Sequence, residues 1–409
     1  MKRLGIYIHL PFCATKCAYC DFHSVTDAKH LMGKFQAALV RQITESAAVL
    51  KGYYIDTVYF GGGTPSYFGA RRIAAIFNAL KESGKVLLDA EVTVEINPES
   101  IGSIDLKFLR KNGVNRLSIG VQTTDDELAK NLGRRHTIQQ VEQLMTRARR
   151  LGFENISIDL IYGLPSQTKA DWASTLNRAI ALKPDHISGY GLKIEEGTPL
   201  YLFKDSPEIP DEDTQADMYL YMVNALRDAG FRQYEISNFA HAGKESKHNL
   251  KYWNREEYMG FGPTAHSFVG NIRYHYLKGV GEYIEAVEGK RLILAEQDDL
   301  SPAEQAMEYL MLGLRQSRGI TGDEYHRIYQ SDFSPIEELL LEYEKRGLAR
   351  RVDGRWSLTP EGFLISNSLI REIVKTHTKE RIVVGMPWKR QELERIGVIK
   401  QEQKSERSV

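Results

Sequence analysis

The stretch Phe12-Cys-Ala-Thr-Lys-Cys-Ala-Tyr-Cys20 contains all three cysteines of this 409-residue chain, Cys13, Cys17 and Cys20. Three thiols cannot pair completely into disulfides, and a zinc site would normally show two spaced cysteine pairs or added histidines. Three thiolates on one short loop can instead bind three irons of a cubane 4Fe-4S cluster and leave the fourth iron without a protein ligand. We therefore predict that these cysteines are cluster ligands, with zinc binding and structural free thiols as the alternatives.

The composition is that of an ordinary globular protein. The chain has 42% hydrophobic residues, and its 54 basic and 54 acidic side chains give a formal net charge of zero. Such a balance offers no electrostatic argument for a nucleic-acid partner. No apolar run approaches the roughly 20 residues of a membrane span, and the apolar part of the start is too short for a secretory signal. We therefore expect a cytoplasmic, reducing location.

The first half of the chain alternates β-strand and helix patterns. Between about Gly5 and Tyr234, short β-branched or aromatic runs alternate with amphipathic stretches, which predicts an α/β fold with six β-α units in an open, partial (β/α)6 barrel. The predicted strands are Gly5 to His9, Thr57 to Phe60, Glu91 to Ile96, Arg116 to Gly120, Ile156 to Ile161 and His186 to Leu192. The predicted helices are Leu31 to Leu50, Arg71 to Lys81, Ile138 to Leu151 and Ala170 to Leu182. In such folds the chemistry gathers at the carboxyl ends of the strands.

A second region follows at about residues 301–375 and predicts a small winged-helix-type domain. Two short strands, Ala349 to Val352 and Trp356 to Leu358, flank the turn Asp353-Gly354. Helical patterns precede them at Ala303 to Arg315, Gly322 to Tyr329 and Pro335 to Arg346. We place the core domain at 1–290 and expect the charged tail, 376–409, to be partly disordered.

Polar motifs follow four of the predicted strands. Gly61-Gly-Gly-Thr-Pro65 allows a close approach of backbone to a ligand, although it matches neither a Rossmann nor a P-loop pattern. Glu95 can accept hydrogen bonds from ribose hydroxyls. Gln122 offers an amide and Arg134 a guanidinium suited to a carboxylate. Asp159 stands in an apolar run, so its charge requires a partner. Each of these side chains, taken alone, is more often structural, but together they indicate a binding site for one polar ligand.

The spacing Cys-x3-Cys-x2-Cys resembles the signature of the radical S-adenosylmethionine (SAM) superfamily. This resemblance implies that the amino and carboxylate groups of SAM chelate the fourth iron. An electron from the cluster then breaks a carbon-sulfur bond to give methionine and a 5'-deoxyadenosyl radical. The glycine triplet, about forty residues after the cysteines, resembles the superfamily segment that pairs with the methionine ammonium.

Longer phrases look like the oxygen-independent coproporphyrinogen III oxidase group, over residues 1 to about 375. The phrases are Tyr7-Ile-His-Leu-Pro-Phe-Cys13, Phe60-Gly-Gly-Gly-Thr-Pro65, Val94-Glu-Ile-Asn-Pro98, Ile119-Gly-Val-Gln122, Asp159-Leu-Ile-Tyr-Gly-Leu-Pro165 and Met311-Leu-Gly-Leu-Arg315. By this resemblance SAM contacts Tyr7, Gly62, Gly63, Thr64, Glu95, Gln122, Arg134 and Asp159.

Two branches of that group differ in function: the oxidase, and heme chaperones that are expected to lack oxidase activity. The oxidase pattern has a further cysteine two positions after the third, whereas Cys20 is followed by Asp21-Phe22. It also has a long segment before the cluster, whereas the first cysteine here is residue 13. Both departures favour the chaperone branch. That resemblance implies bound heme, a heme-acceptor protein and an electron donor such as flavodoxin or ferredoxin. The oxidase and a radical SAM methylase are the alternatives.

The positive signal for heme is Ser246-Lys-His248-Asn249-Leu-Lys-Tyr252-Trp253, which resembles the heme-associated motif of the chaperone branch. A neutral imidazole can ligate heme iron, and the two aromatic residues offer flat apolar surface for a porphyrin. His248 is therefore the predicted heme ligand. The alternative is that His248 only hydrogen-bonds within a loop packed on the barrel, and His266 is a competing ligand candidate.

Overall fold

The computed structural model describes residues 1–383, with side chains described as far as His377. The chain divides into two compact units whose boundary lies between Leu300 and Ser301. The tail proposed at 376–409 is helical over its first residues, 376–383, and the remainder lies outside the described residues. Among the described helices none has the length and apolar character needed to cross a membrane.

Six parallel strands form the centre of the first unit, paired in sequence order. The strands are β1 Lys2–Leu10, β2 Tyr53–Gly62, β3 Lys85–Ile96, β4 Arg116–Gln122, β5 Asn155–Tyr162 and β6 His186–Gly191. The helices that connect and flank them are α1 Met32–Glu45, α2 Ala47–Leu50, α3 Pro65–Phe68, α4 Ala70–Ser83, α5 Ser103–Lys111, α6 Asp126–Asn131, α7 Ile138–Arg150 and α8 Lys169–Ala181. The predicted α/β partial barrel is confirmed. β1 to β5 are two to six residues longer than the sequence patterns indicated, and β6 is one residue shorter.

The region after β6 extends this sheet on both sides and was not predicted. Its strands are β7 Arg232–Glu235, β8 Asn238–Ala240, β9 Tyr258–Phe261, β10 His266–Val269, β11 Ile272–Tyr276 and β12 Leu294–Asp299, and its helices are α9 Glu212–Asp228, α10 Lys247–Trp253 and α11 Val280–Glu288. β9 pairs in parallel with β1, and β10 to β12 continue from it as antiparallel strands. β8 and β7 extend the other edge beyond β6. The sheet therefore has twelve strands.

The two faces of the central strands differ in polarity. Outward-facing residues such as Ile6, Val58 and Val94 are fully buried and apolar, and α1 packs its apolar face on this side through Phe35. This layer forms the hydrophobic core of the unit. The inward-facing residues are mostly polar. On β2 to β6 they include Tyr59, Glu95, Arg116, Ser118, Asp159, His186 and Ser188. We call the space that they enclose the lumen.

The second unit consists of helices and one β-hairpin. The elements are α12 Pro302–Gly313, α13 Gly322–Tyr329, α14 Ser334–Lys345, β13 Ala349–Val352, β14 Arg355–Leu358, α15 Pro360–Leu364 and α16 Ser366–Val383. Asp353 and Gly354 join the two strands with φ values of 49° and 75°, which suits a two-residue turn with both residues left-handed. This arrangement agrees with the predicted winged-helix-type domain.

Candidate functional site

The three cysteines lie on the loop that follows β1. The loop is held at both ends by backbone hydrogen bonds, from Cys13 N to Val25 O (3.0 Å) and from Ala18 N to Leu132 O (3.2 Å). All three cysteines line one cavity of about 470 Å³, which opens into the lumen and which we call the cysteine cavity. The sequence therefore brings the three thiols to the carboxyl ends of the parallel strands, where the fold predicts chemistry.

The thiols fit the predicted cluster. None forms a disulfide, and burial together with the nearby Cys17 and Cys13 thiols raises the pKa of Cys20. Among the described residues, no group of three or more His, Cys, Asp or Glu side chains is arranged around a single metal ion. A cubane needs no such shared sphere, because each thiolate binds a different iron. Close thiols beside an open cavity suit a cluster with one iron left for another ligand.

A chain of hydrogen bonds connects two of the cysteines through the neighbouring strand ends. Cys13 Sγ lies 3.4 Å from Thr64 Oγ1, which also accepts from Asn97 Nδ2 (3.3 Å). Arg134 donates from Nη2 to Asn97 Oδ1 (3.0 Å) and from Nη1 to Cys17 Sγ (3.8 Å). Donors directed at the thiols stabilise their ionised form. Sequence analysis missed Asn97, although it stands two residues after the predicted Glu95.

The glycine loop after β2 approaches the cysteine loop too closely for side chains. A Cβ at Gly63 would lie 2.8–2.9 Å from backbone atoms of Phe12 and Pro11. Gly62 has a φ of 118°, in the region that favours glycine. Gly63 N donates to Leu10 O (2.9 Å) and Thr64 N to Phe12 O (2.8 Å), so the loop is fixed against the end of β1. The packing of the glycine loop against the cysteine loop therefore requires residues without side chains here, whether or not a ligand binds.

Glu95 lies at the end of β3 and accepts two hydrogen bonds. Tyr59 donates its hydroxyl to Oε1 (2.9 Å), and the Gly62 backbone N–H donates to Oε2 (3.2 Å). Burial raises the pKa of Glu95 to about 7, because the ionised carboxylate is poorly solvated there. Each oxygen retains capacity for a further donor such as a ribose hydroxyl.

Gln122 and Arg134 lie together beyond the end of β4. Gln122 has a φ of 69°, which is uncommon for a residue with a side chain and often marks a functional site. Arg134 donates from Nη2 to Gly120 O (2.6 Å), and its Nε is buried without a partner among the described residues. A Cβ at Gly120 would lie 3.1 Å from the Gln122 amide and from Asn97 Oδ1, so this glycine makes room for the polar group.

Asp159 has the partners that its apolar surroundings require. Ser118 donates to Oδ2 (3.0 Å), whereas Ser188 (2.7 Å) and Ser157 (3.4 Å) donate to Oδ1. Burial still raises the pKa of Asp159 despite these bonds. The serines come from β4, β5 and β6, so one carboxylate connects three neighbouring strands across the lumen.

Seven of the eight residues predicted to contact SAM line the cysteine cavity, and Tyr7 does not. Tyr7 lines a neighbouring cavity of about 510 Å³ together with His9, His23, Tyr252, Tyr258 and His266, which we call the histidine cavity. Tyr7 donates its hydroxyl to His9 Nδ1 (3.1 Å), and His9 Nε2 donates to His23 O (3.0 Å). Gly62, Glu95 and Phe22 line both cavities, so these cavities share a wall.

The two candidate heme ligands have different environments. His248 is fully enclosed, with Nδ1 bonded to Thr57 Oγ1 (2.8 Å) and Nε2 to the Tyr252 hydroxyl (2.7 Å), and burial lowers its pKa to about 3. Ligation by His248 stays a prediction and requires one of these bonds to break. The His266 ring is exposed, lines the histidine cavity and forms no hydrogen bond with another described residue. Burial and the nearby His275 and Arg273 lower its pKa, which favours the neutral imidazole.

Comparison with known proteins agrees with this architecture. The radical SAM superfamily profile matches residues 7–179, and the HemN C-terminal domain profile matches residues 300–365. The structure of coproporphyrinogen III oxidase (HemN) from Escherichia coli superposes with a TM-score of 0.78 at 24% identity, covering 92% of this chain and 90% of that one. At that identity the superposition supports the fold alone.

Two curated relatives are similar along almost their whole length. The heme chaperone HemW of Bacillus subtilis is 34% identical over 367 residues, which cover 89% of this chain and 97% of the relative. The heme chaperone HemW of Lactococcus lactis is 35% identical over 378 residues, which cover 91% of this chain and 98% of the relative. The cysteine loop, the polar lumen and these full-length similarities together show that the chain belongs to the HemW family of radical SAM proteins.

Proposed function

We propose that this protein is a heme chaperone that binds heme beside a SAM-liganded 4Fe-4S cluster and passes the heme to an acceptor protein. The observation that carries the proposal is the wall shared by the cysteine and histidine cavities, formed by Gly62, Glu95 and Phe22. A cluster site and an aromatic, imidazole-lined site are thereby adjacent within one unit. The relatives that match most of this chain are named as heme chaperones, which supports the same function.

In the cysteine cavity, Cys13, Cys17 and Cys20 hold the cluster in this proposal, and a bound cluster supplies an electron to SAM. The chain's own side chains position SAM. Arg134 offers its guanidinium for a carboxylate, and Glu95 accepts from ribose hydroxyls. The remaining residues of the proposed SAM set are Tyr7, Gly62, Gly63, Thr64, Gln122 and Asp159. Tyr7 lines the histidine cavity beside the shared wall, and its contact with SAM stays a prediction.

In the histidine cavity, His266 is the first candidate for the axial heme ligand and His248 the second. Burial lowers the pKa of His266, and its ring lines the cavity without a hydrogen bond to another described residue, which favours a nitrogen lone pair available to iron. Tyr252 and Tyr258 line the same cavity and offer ring surface to a porphyrin. The cavity volume of about 510 Å³ lies in the range of small-molecule sites.

Optical heme titration of the full chain tests the proposal, with His266→Ala, His248→Ala and a His275→Ala control. His275 lies next to His266, at 4.9 Å between ring centroids, but lines neither cavity. We expect His266→Ala to shift the heme spectrum and weaken binding, and His275→Ala to leave both unchanged. If only His248→Ala changes the spectrum, the loop must rearrange and His248 is the ligand. Wild-type spectra for both variants would contradict ligation at either position.

The oxidase alternative needs a separate assay on the reconstituted protein. Anaerobic incubation with SAM, a reductant and coproporphyrinogen III should yield no protoporphyrinogen, because a chaperone of this family is expected to lack that activity. Decarboxylated product in proportion to SAM consumed would overturn the chaperone assignment. A methylated product would instead support the methylase alternative.

A further inference from the structure

Arg116 is a cation inside the lumen that the proposed function does not use. It is the first residue of β4, is 2% exposed and lines the cysteine cavity. Its register partners are Thr93 on β3 and Asn155 on β5, so it lies among the inward-facing polar residues. A charged group in such a position requires a counter-charge or a dense set of hydrogen bonds.

Burial raises the pKa of both Glu95 and Asp159, whereas the charge of Arg116 acts to lower it, so these carboxylates interact with Arg116 electrostatically, but neither forms an ion pair with it. The Arg116 side chain forms no hydrogen bond or ion pair with any described residue, and its Nε is buried without a partner. The acidic side chains of the lumen already have donors, since Asp159 accepts from three serines and Glu95 from Tyr59 and Gly62. His186 is bonded to Ser157 and Tyr234. The guanidinium therefore has several free donors in the lumen.

Asn249 adds a second free donor to this region. Its side chain lines the cysteine cavity, and the side-chain amide forms no hydrogen bond with another described residue. Arg134, the other guanidinium of the cavity, is bonded to Asn97, Gly120 and Cys17 and is the group already proposed for the SAM carboxylate. A planar guanidinium with a nearby carboxamide is suited to the two oxygens of a carboxylate.

We propose that Arg116, assisted by Asn249, binds a carboxylate of a molecule that enters the lumen through the cysteine cavity. The carboxylate comes either from a heme propionate or from a small organic acid. The heme source rests on the proposed function, whereas the organic-acid source does not. In both cases the bound anion pairs directly with a guanidinium that forms no side-chain hydrogen bond or ion pair within the described part of the chain.

The test uses the reconstituted full chain as wild type, Arg116→Gln and a matched Arg149→Gln control. Arg149 forms an ion pair with Asp185 (2.7 Å) away from both cavities, so its replacement should lower the melting temperature without changing ligand binding. Removing the unpaired Arg116 charge should leave the melting temperature of the ligand-free protein unchanged or higher. Heme, heme dimethyl ester and sodium propionate are the three probes, with sodium chloride as the ionic-strength control.

For a heme propionate, wild type should bind heme about tenfold or more tightly than the ester, and Arg116→Gln should bind both alike. For a small acid, heme and ester bind alike, but propionate raises the melting temperature of wild type and not of Arg116→Gln. Either result supports the proposal. If Arg116→Gln matches wild type with all three probes, or only lowers the melting temperature as Arg149→Gln does, the proposal is overturned. Failure of wild type to bind heme would contradict the proposed function, and the propionate result would still decide the Arg116 site.

Discussion

The cysteine and histidine cavities share a wall but differ in how their side chains are engaged. In the cysteine cavity, the Cys13 and Cys17 thiols end a hydrogen-bonded chain through Thr64, Asn97 and Arg134, and the side-chain amide of Asn249 remains available. In the histidine cavity, both ring nitrogens of His9 are already bonded, whereas the His266 ring and the Nε2 nitrogen of His23 have no hydrogen-bond partner among the described residues. Whether a side chain can bind a ligand is therefore judged better from the hydrogen bonds that it already forms than from its residue type alone.

The largest expected effect separates the two cavities through the cluster. Cys17→Ala removes one of three iron ligands, so we expect loss of nearly all of the roughly four irons per chain and of SAM binding. Heme binding in the histidine cavity should persist, because its lining contains no cysteine. Iron analysis and visible absorption after anaerobic reconstitution measure the first effect, and optical heme titration measures the second.

Thr15→Ala provides the control, because Thr15 lies on the same loop and lines the same cavity without a thiol. It should retain iron, SAM and heme. Full iron content in Cys17→Ala would contradict the cluster assignment. Loss of heme binding in that variant alone would show that the two cavities act as one site.

A smaller effect is expected where the glycine loop meets the cysteine loop. Gly63→Ala places a Cβ within 2.8–2.9 Å of backbone atoms, which cannot move as freely as a side chain. We expect destabilisation by about 1–3 kcal/mol and at least tenfold weaker SAM binding, measured by thermal unfolding and calorimetry. Gly33→Ala, which has open space around it in α1, should be neutral or stabilising by about 0.5–1 kcal/mol. Equal SAM affinity in Gly63→Ala and Gly33→Ala would show that the glycine loop accommodates the added Cβ without a change in the SAM site.

Much of the cysteine cavity could be predicted from sequence, because each of its parts follows a strand and local patterns locate strands. The cysteine triplet, the glycine triplet and Glu95 all lie on adjacent strand ends. Sequence analysis did not identify Arg116, because the local pattern of β4 does not show which of its two faces points into the lumen. The histidine cavity was harder to predict. It depends on β9 pairing in parallel with β1 across some 250 residues, and no local pattern specifies such a pairing.

The pH dependences of stability and of SAM binding together distinguish Glu95 from Glu235, a buried carboxylate outside the cavities. Burial raises the pKa of both Glu95 and Glu235 to about 7, from an ordinary value of 4.5. Between these values the folded chain binds more protons than the unfolded chain, so the free energy of unfolding falls as pH rises from about 4.5 to about 7. Each group contributes on the order of 3 kcal/mol to that fall.

Glu95→Gln and Glu235→Gln should therefore each flatten the decline in denaturant-measured stability by a similar amount. Only Glu95→Gln should weaken SAM binding, since Glu235 does not line the cysteine cavity. In wild type, SAM affinity should rise as pH increases through about 7, because ribose hydroxyls donate better to the ionised carboxylate. A pH-independent affinity in wild type would exclude Glu95 as the ribose acceptor.

The smallest expected effect concerns the two hydrogen bonds formed by the ring nitrogens of His248. Tyr252→Phe removes the partner of His248 Nε2, and Thr57→Val removes the partner of Nδ1. Each should lower the free energy of unfolding by about 1 kcal/mol in denaturant titration. If His266 is the heme ligand, neither variant alters the heme spectrum, because the freed nitrogen is not used. A stronger heme affinity in Tyr252→Phe but not in Thr57→Val would show that breaking the Tyr252 bond limits ligation by His248 Nε2. His248, which belongs to the motif predicted from the sequence, would then be the heme ligand, just as the predicted cysteines are the proposed cluster ligands.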